Sequence, residues 1–214
     1  MAKGIIFDMD GVVVNSIECD YSSWKKVLQR FGKDLSFDEY KRFSGMKAKQ
    51  IFRQYGEDVT DDSAILLENE KDDYFAECLK KGSVTIPRGL ISLLDLLLDN
   101  MIDVSLATAA SRKKVDSVLE YFGIASYFRV IITGDDVSAG KPDPQIFLKA
   151  STMLGLRPEE CVVIEDAPNG IRAAKKGNMK CIAITATHKA EELTEADMII
   201  NAFTELTFPT LQRL

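Results

Sequence analysis

The feature that most constrains this chain is a repeated alternation of short apolar runs with helix-like segments. The runs are almost entirely apolar and rich in Val and Ile, as in strands that are buried on both faces of a sheet. We predict strands at Gly4 to Phe7, Val104 to Ala107, Val130 to Thr133, Cys161 to Ile164, Lys180 to Ile184 and Met198 to Ile200. The alternation predicts an α/β fold in which helices cover both faces of a parallel sheet.

Helix-like segments fill the intervals between most of these runs. Three of them are followed by a glycine, which commonly ends a helix. The predicted helices are Gly89 to Asp99, Ser111 to Phe122, Pro144 to Leu154 and Asn169 to Lys176.

The alternation fails between Ser16 and about Gly82, where the residues are helical in period, highly charged and without a convincing strand. This interruption indicates an inserted domain, with a core of residues 1–15 and 83–214 and a helical cap domain of residues 16–82. The two connections between them can act as a hinge. Within the insert we predict helices at Ile17 to Phe31, Phe37 to Phe43, Lys47 to Tyr55 and Asp61 to Lys81.

Composition excludes several classes of function. The 214 residues are 46% hydrophobic and 28% charged, as in an ordinary globular protein. The net charge is −6, and no run of Lys and Arg could follow a nucleic-acid backbone. Asp8 and Asp10 interrupt the apolar start, which a signal peptide or a membrane span would not tolerate. We expect a cytoplasmic protein, taken to be a monomer, that binds neither nucleic acid nor membrane.

The cysteines and the histidine limit the available chemistry. Cys19, Cys78, Cys161 and Cys181 are far apart and form no CxxC pair, so we expect four free thiols. His188 is the only histidine, which excludes a zinc site built from several His and Cys ligands. Carboxylates must therefore carry any metal binding or acid-base chemistry.

Two acidic pairs follow two of the predicted strands. Asp8 and Asp10 follow the first strand, and their i, i+2 spacing lets both side chains face one site. Glu165 and Asp166 follow the strand that ends at Ile164. Turn or helix capping could explain either pair alone, but two such pairs at one sheet edge favour a hard cation such as Mg²⁺.

Hydroxyl groups and a lysine are predicted at the same edge. Thr108 follows a strand, and Ala109 and Ser111 lead into a helix whose backbone N–H groups could bind a phosphate. An ordinary helix start explains that segment equally well. Lys141 stands in the stiff segment GKPDP and could pair with carboxylate and phosphoryl oxygens. Together these groups are typical of phosphoryl transfer.

The segments FDMDGVV, LATAAS, GKPDP and VIEDAPNG, in this order, closely resemble the four motifs of the haloacid dehalogenase-like superfamily. The insert after the first motif resembles the cap of the β-phosphoglucomutase and phosphoglycolate-phosphatase branch. The resemblance implies a Rossmann-like core, an aspartyl-phosphate intermediate and a Mg²⁺ cofactor.

The resemblance also implies a role for each matching residue. Asp8 would attack phosphorus, Asp10 would act as acid and base, and Thr108 and Lys141 would bind the phosphoryl group. Asp8, Asp166 and the carbonyl of Asp10 would bind Mg²⁺, with Glu165 as an outer partner. The predicted site residues are thus catalytic Asp8, Asp10, Thr108 and Lys141, metal-binding Asp8, Asp10, Glu165 and Asp166, and substrate-binding Asp20, Trp24, Lys47, Lys49, Ala109 and Ser111.

The predicted substrate-binding residues of the insert have simpler explanations too. Trp24 lies one helical turn after Asp20, close to the hinge, although a lone tryptophan usually belongs to a core. Lys47 and Lys49 lie in a segment that resembles the family's specificity loop, but a solvated face explains them equally well.

The substrate is expected to be a small phosphorylated metabolite, and the reaction has three candidate forms. Asp20 stands where β-phosphoglucomutases have a histidine, and Ala48 stands where they have a phosphate-binding arginine. These departures favour a phosphatase over a phosphomutase. A module that accepts a phosphoryl group without turnover, as receiver domains do, is a third and more remote alternative.

Overall fold

The computed structural model describes residues 2–43, 45–54 and 60–212. The strands are β1 (Gly4–Phe7), β2 (Asp103–Ala107), β3 (Val130–Ile132), β4 (Cys161–Glu165), β5 (Lys180–Ile184) and β6 (Met198–Ile200). The helices are α1 (Ile17–Gln29), α2 (Phe37–Lys41), α3 (Ala48–Gln54), α4 (Asp61–Lys80), α5 (Leu90–Asp99), α6 (Arg112–Phe122), α7 (Gln145–Leu154), α8 (Pro168–Lys176) and α9 (Phe208–Gln212).

The six strands form one sheet in the order β3-β2-β1-β4-β5-β6, and every neighbouring pair is parallel. The predicted α/β class and Rossmann-like core are thereby confirmed. Strand and helix bounds differ from the predicted ones by at most two residues, and α9 was not predicted. Glu165 is the last residue of β4, whereas the sequence placed it after the strand.

Alternate residues of the central strand pack into two apolar clusters. Ile5 and Phe7 pack with Leu94 of α5 and Val118 of α6, whereas Ile6 packs with residues of α7 and α8. The strand is buried on both faces because helices cover both faces of the sheet. This layering leaves the carboxyl ends of the strands as the edge at which side chains can meet a ligand.

Helices α1 to α4 lie between β1 and α5, as the sequence predicted for the insert. Their aromatic side chains form a cluster in which Trp24 packs edge-on against Phe43. The connecting segments pair with each other, since Asn15 N–H donates to the Thr85 carbonyl at 2.8 Å. Tyr55, where the third predicted helix ended, lies outside the described residues. The division into two domains stays a proposal.

The expectation of four free thiols is wrong. Cys19 of α1 and Cys78 of α4 form a disulfide across 59 residues of sequence, with Cα atoms 5.9 Å apart. The pairing comes from the packing of α1 beside α4, which no cysteine spacing reveals. Cys161 and Cys181 are free and buried.

Within residues 2–43, 45–54 and 60–212, no helix has the length and apolar character to cross a bilayer.

Candidate active site

Three neighbouring strands bring the predicted catalytic residues to one edge of the sheet. Asp8 follows β1, Thr108 follows β2 and Asp166 follows β4, and these strands are adjacent in the sheet. All three side chains are buried and line one cavity. The cavity is closed from the other side by residues of the insert, including Trp24 and Ala48.

A cluster of carboxylates surrounds one ammonium group. Oxygens of Asp8, Glu165 and Asp166 lie within 4.8 Å of one another. Lys141 Nζ lies 2.6 Å from Asp8 and 2.5 Å from Glu165. When all four groups are charged, three negative charges face one positive charge, which leaves an excess of two. A buried excess of this size is costly unless a cation offsets it.

The pKa values in the cluster reflect that excess. Burial raises the pKa of Asp8 from 3.8 to about 7, against the opposing attraction of Lys141. Burial and the neighbouring Glu165 raise the pKa of Asp166 well above its usual range. Oxygen ligands with two unbalanced negative charges are the donor set that Mg²⁺ takes in proteins. The residues present therefore fit a divalent cation.

Glu165 contacts the protein with both carboxylate oxygens. Oε1 accepts from Lys141, and Oε2 accepts from the backbone N–H groups of Asp166 at 2.8 Å and Ala167 at 2.9 Å. A Cβ at Gly170 would lie 1.8 Å from Oε1, so only glycine lets α8 approach this closely. Glu165 is absent from the cavity lining and orients Lys141 and the loop after β4.

Asp166 is held from three directions. Gly11 has a φ of +80°, and a Cβ there would lie 2.0 Å from Asp166 Oδ2. Thr187 donates its hydroxyl to the same oxygen at 2.5 Å, and His188 Nδ1 lies 3.1 Å from the Asp166 carbonyl. Neither Thr187 nor His188 was predicted to be a site residue. Their position just after β5 is the signal that could have found them.

Both carboxylate oxygens of Asp10, the second aspartate of the first motif, accept hydrogen bonds. Ser16 donates to Asp10 Oδ1 at 2.5 Å, and Lys114 Nζ donates to Oδ2 at 2.8 Å. Lys114 lies in the first turn of α6 and is buried, although its sequence context resembles a solvated charged face. No sequence signal indicated its place in the site.

On the insert side, Asp20 lines the cavity as predicted but is already paired. Its oxygens accept from Lys114 at 2.6 Å, from Tyr40 at 3.0 Å and from Lys71 at 3.5 Å. Burial alone would raise the pKa of Asp20, but Lys114 and Lys71 outweigh burial and lower it. Asp20 therefore belongs to an internal ion-pair network.

Trp24 lies at the boundary between the cavity and the core of the insert. It lines the cavity and packs in the aromatic cluster of the insert, with the Phe52 ring centroid 5.6 Å from its own. Lys71 Nζ lies 5.4 Å from the centroid of the Trp24 ring.

Three of the predicted substrate-binding residues line a groove beside the cavity and not the cavity itself. Of Ala109 and Ser111, which both follow Thr108, Ala109 lines the cavity. Lys47, Lys49 and Ser111 lie in that groove. Lys47 Nζ donates to the Val137 carbonyl at 2.6 Å. Ser111 accepts from the Lys114 N–H at 3.2 Å, as the N-cap of α6, and donates to Asp72.

Glu68 of α4 is a further cavity residue that the sequence analysis missed. It lines both the cavity and the neighbouring groove. Burial raises its pKa from 4.5 to about 7, since the attraction of Lys71 compensates only in part. Its spacing within a long charged helix gives no sign of this position.

Comparison with known proteins agrees with the geometry. Residues 5–184 match the family model described as haloacid dehalogenase-like hydrolase. The chain is 33% identical over 209 residues to validoxylamine A 7'-phosphate phosphatase of Streptomyces hygroscopicus subsp. limoneus, covering 98% of both chains. It is 28% identical over 204 residues to phosphorylated carbohydrates phosphatase of Thermotoga maritima, covering 92% of both.

A solved structure extends the likeness to the arrangement of the whole chain. The crystal structure of β-phosphoglucomutase from Clostridium difficile superposes with a TM-score of 0.89 at 26% identity, covering 100% of this chain and 96% of that one. The four motifs, the sheet and the acidic cluster thus occur together with a family match over most of the chain. The chain belongs to the haloacid dehalogenase-like hydrolase family and is an enzyme that acts on phosphoryl groups.

Proposed function

We propose that the chain is a Mg²⁺-dependent phosphatase that hydrolyses a small, sugar-like phosphate monoester through an aspartyl phosphate on Asp8. The observation that carries the proposal is the buried cluster of Asp8, Glu165 and Asp166 around Lys141. The relatives of this chain include phosphatases of phosphorylated metabolites, which agrees with this reaction class.

The first step is attack on the substrate. An oxygen of Asp8 forms a bond to phosphorus while the bond from phosphorus to the ester oxygen breaks and leaves its electron pair on that oxygen. Lys141 holds the Asp8 carboxylate in place through a contact of 2.6 Å. The Thr108 hydroxyl, which is buried at the end of β2, offers a donor to the phosphoryl oxygens.

Asp10 is the group that exchanges protons in both steps. In the first step it gives a proton to the departing alcohol, and in the second it takes one from the water that attacks the aspartyl phosphate. Hydrolysis then restores the free carboxylate of Asp8 and releases inorganic phosphate.

Asp8, Asp166 and the Asp10 carbonyl are the proposed Mg²⁺ ligands, and Glu165 supports them from outside the cavity. Bound there, the ion would offset the negative charge of the nucleophile and of the phosphoryl group so that the two can approach. Thr187 and Gly11 fix the Asp166 carboxylate in the orientation that such a ligand needs.

A phosphomutase needs a cation for a second phosphate, and the insert side of the cavity offers little for that purpose. Among the described residues that line the cavity, none is an arginine. Ala48 stands where β-phosphoglucomutases have a phosphate-binding arginine. Lys71 lies 2.7 Å from Asp72, and Lys41 pairs with Asp38 at 2.9 Å. Each of these lysines thus has an acidic partner, which favours a monophosphate substrate and transfer to water.

A hydrolysis screen tests the proposal. The purified chain is incubated with Mg²⁺ and glucose 6-phosphate, glucose 1-phosphate, ribose 5-phosphate, glycerol 3-phosphate or phosphoglycolate, and released phosphate is measured. In parallel, β-glucose 1-phosphate with a bisphosphate primer is assayed for isomerisation. Sustained Mg²⁺-dependent release of phosphate is expected.

Two outcomes would contradict the proposal. Conversion to glucose 6-phosphate without free phosphate would show a mutase. A single stoichiometric burst would show a phosphate-accepting module, although the family match to hydrolases argues against it. The Asp8→Asn variant is the matched blank, since its carboxamide has nearly the same shape but cannot attack phosphorus.

A further inference from the structure

A buried chain of charged groups joins Asp10 to the insert. Lys114 lies between Asp10 and Asp20, at 2.8 Å and 2.6 Å. Asp20 in turn contacts Lys71, and Lys71 lies 2.7 Å from Asp72. The ammonium of Lys114 thus contacts both Asp10 of the sheet edge and Asp20 of α1.

Lys114 is fixed in place on all sides. Its side chain is 1% exposed, and its ammonium lies 4.3 Å from the centroid of the Phe75 ring of α4. Its backbone N–H is bonded to the N-cap residue Ser111. A lysine held by its backbone, an aromatic ring and two carboxylates has little rotational freedom left, so its ammonium keeps one position relative to Asp10.

The contacts of Asp10 show that Lys114 orients the Asp10 carboxylate. Ser16 donates to Oδ1, and Lys114 Nζ lies 2.8 Å from both Oδ1 and Oδ2, so the two contacts together limit rotation of the carboxylate. Proton transfer to a departing oxygen requires hydrogen-bond distance and alignment. Loss of one of the two contacts would let the carboxylate rotate away from that alignment.

We propose that Lys114 is a positioning residue for Asp10, anchored by Asp20, and that it sets the efficiency of proton transfer to the leaving alcohol. This inference rests on the proposed phosphatase function, and it adds a residue from outside the four motifs. Lys114 itself lies beside the reacting groups and takes no part in bond formation.

The test compares two kinds of phosphate ester. Departure of p-nitrophenolate needs no proton, whereas departure of an alkoxide from a sugar phosphate does. The ratio kcat/KM reports the steps up to loss of the first leaving group. A defect in Asp10 positioning therefore lowers kcat/KM for the alkyl ester much more than for p-nitrophenyl phosphate, whereas general damage to the fold lowers both equally.

The variant is Lys114→Met, assayed on p-nitrophenyl phosphate and on whichever alkyl phosphate of the screen wild type hydrolyses fastest. We expect a loss of roughly 100-fold on the alkyl ester, as for a misplaced catalytic group. The loss on the aryl ester should be at least about tenfold smaller. KM for the alkyl ester should stay close to the wild-type value, and Asp10→Asn should show the same selective pattern.

Lys113→Met is the matched control. Lys113 is the preceding residue of α6 and also contacts α4, through Asp73 at 2.6 Å, but this ion pair is exposed. Its replacement should change kcat/KM by less than about threefold on both esters, because exposed ion pairs contribute little.

A second variant covers the case in which Lys114→Met leaves Asp20 uncompensated and unfolds the protein. The double variant Lys114→Met with Asp20→Asn removes both charges, and a thermal melt checks its fold. It should retain the selective loss on the alkyl ester.

Three results would overturn the inference while leaving the phosphatase function intact. These are equal losses on both esters, no loss in Lys114→Met, and full recovery in the double variant. The last would mean that Lys114 only neutralises Asp20. A wild-type chain that hydrolyses none of the esters would instead overturn the proposed function, and this inference with it.

Discussion

The cavity has two walls whose charges are arranged in opposite ways. The sheet-edge wall, formed by Asp8, Thr108, Lys141 and Asp166 with Glu165 behind the lining, gathers three carboxylates around one ammonium. The insert wall, formed by Asp20, Trp24, Lys41, Glu68 and Lys71, contains two acids and two bases, and Asp20 contacts both Lys71 and Lys114 of α6. One wall holds an excess of charge, and the other is largely balanced within itself.

The difference between the two walls indicates which charged groups are available for catalysis. Unbalanced carboxylates raise the free energy of the folded state, and a structure that keeps them offers a site for a cation or a phosphoryl group. Balanced pairs fix the insert against the sheet edge and leave less binding capacity for a ligand. Substitutions in the sheet-edge wall should therefore affect catalysis more than those in the insert wall.

The largest expected effect is at Asp8. Asp8→Asn should lower kcat by between roughly 10⁴- and 10⁶-fold, as for removal of other catalytic nucleophiles. The fold should be retained, since the change also removes one negative charge from an overcharged cluster. Phosphate release and circular dichroism measure the two effects. Activity within tenfold of wild type would remove the basis for the proposed intermediate.

The next effect concerns Asp166. Asp166→Ala should raise the Mg²⁺ concentration for half-maximal rate by roughly 10- to 100-fold, since an oriented carboxylate near the ion is lost. A Mg²⁺ titration of initial rates measures this shift. Asp116→Ala, at an exposed acid of α6, is the control and should leave the titration unchanged. Equal curves for Asp166→Ala and wild type would contradict its role as a ligand.

A third prediction concerns stability and pH. Burial raises the pKa of Asp8 from 3.8 to about 7, so the folded state binds this proton more tightly than the unfolded state. The contribution of Asp8 to stability is therefore greatest below pH 3.8 and is lost as pH rises towards 7. Mg²⁺ should reverse the loss, because it binds the ionised carboxylates.

Thermal melts with and without Mg²⁺ measure this linkage. At pH 8, a Mg²⁺ concentration 100 times its dissociation constant should raise Tm by about 5 to 10 °C. At pH 5 the increase should be much smaller, since protons compete for the same oxygens. A Mg²⁺ effect that does not depend on pH would show that the cluster is not the binding site.

A smaller and more selective effect is expected in the insert wall at Glu68. Glu68→Gln should change KM for the preferred alkyl phosphate by about tenfold, because it alters one polar group that lines the cavity on the insert side. The rate on p-nitrophenyl phosphate should stay close to wild type. Glu70→Gln is the control on the same helix, since Glu70 pairs with Arg30 away from the cavity. Equal losses on both esters would place Glu68 in the catalytic machinery.

The smallest effect is expected at Lys49. It lines the neighbouring groove and is absent from the cavity lining, so Lys49→Ala should change kcat/KM by less than about threefold. Steady-state rates on the alkyl phosphate measure it. A loss of tenfold or more would show that the substrate extends from the cavity into the groove.

From the sequence alone, the sheet, the position of the inserted helices and the strand-end residues of the candidate site could be predicted. Apolar runs of strand length define β1, β2 and β4, and the residue after each run must lie at the carboxyl edge of a parallel sheet. Strand geometry therefore predicts the positions of Asp8, Thr108 and Asp166 from the sequence, since one local rule applies to each of them.

Tertiary packing sets the arrangement of the insert wall and of the groups that support the site. Three features depend on how α1, α4 and α6 pack together: the disulfide between Cys19 and Cys78, the contact of Lys114 with Asp10, and the place of Glu68 in the cavity lining. Many helix faces are compatible with a charged periodic sequence, and side-chain packing between elements distant along the chain selects one of them. That selection cannot be read from spacing along the chain.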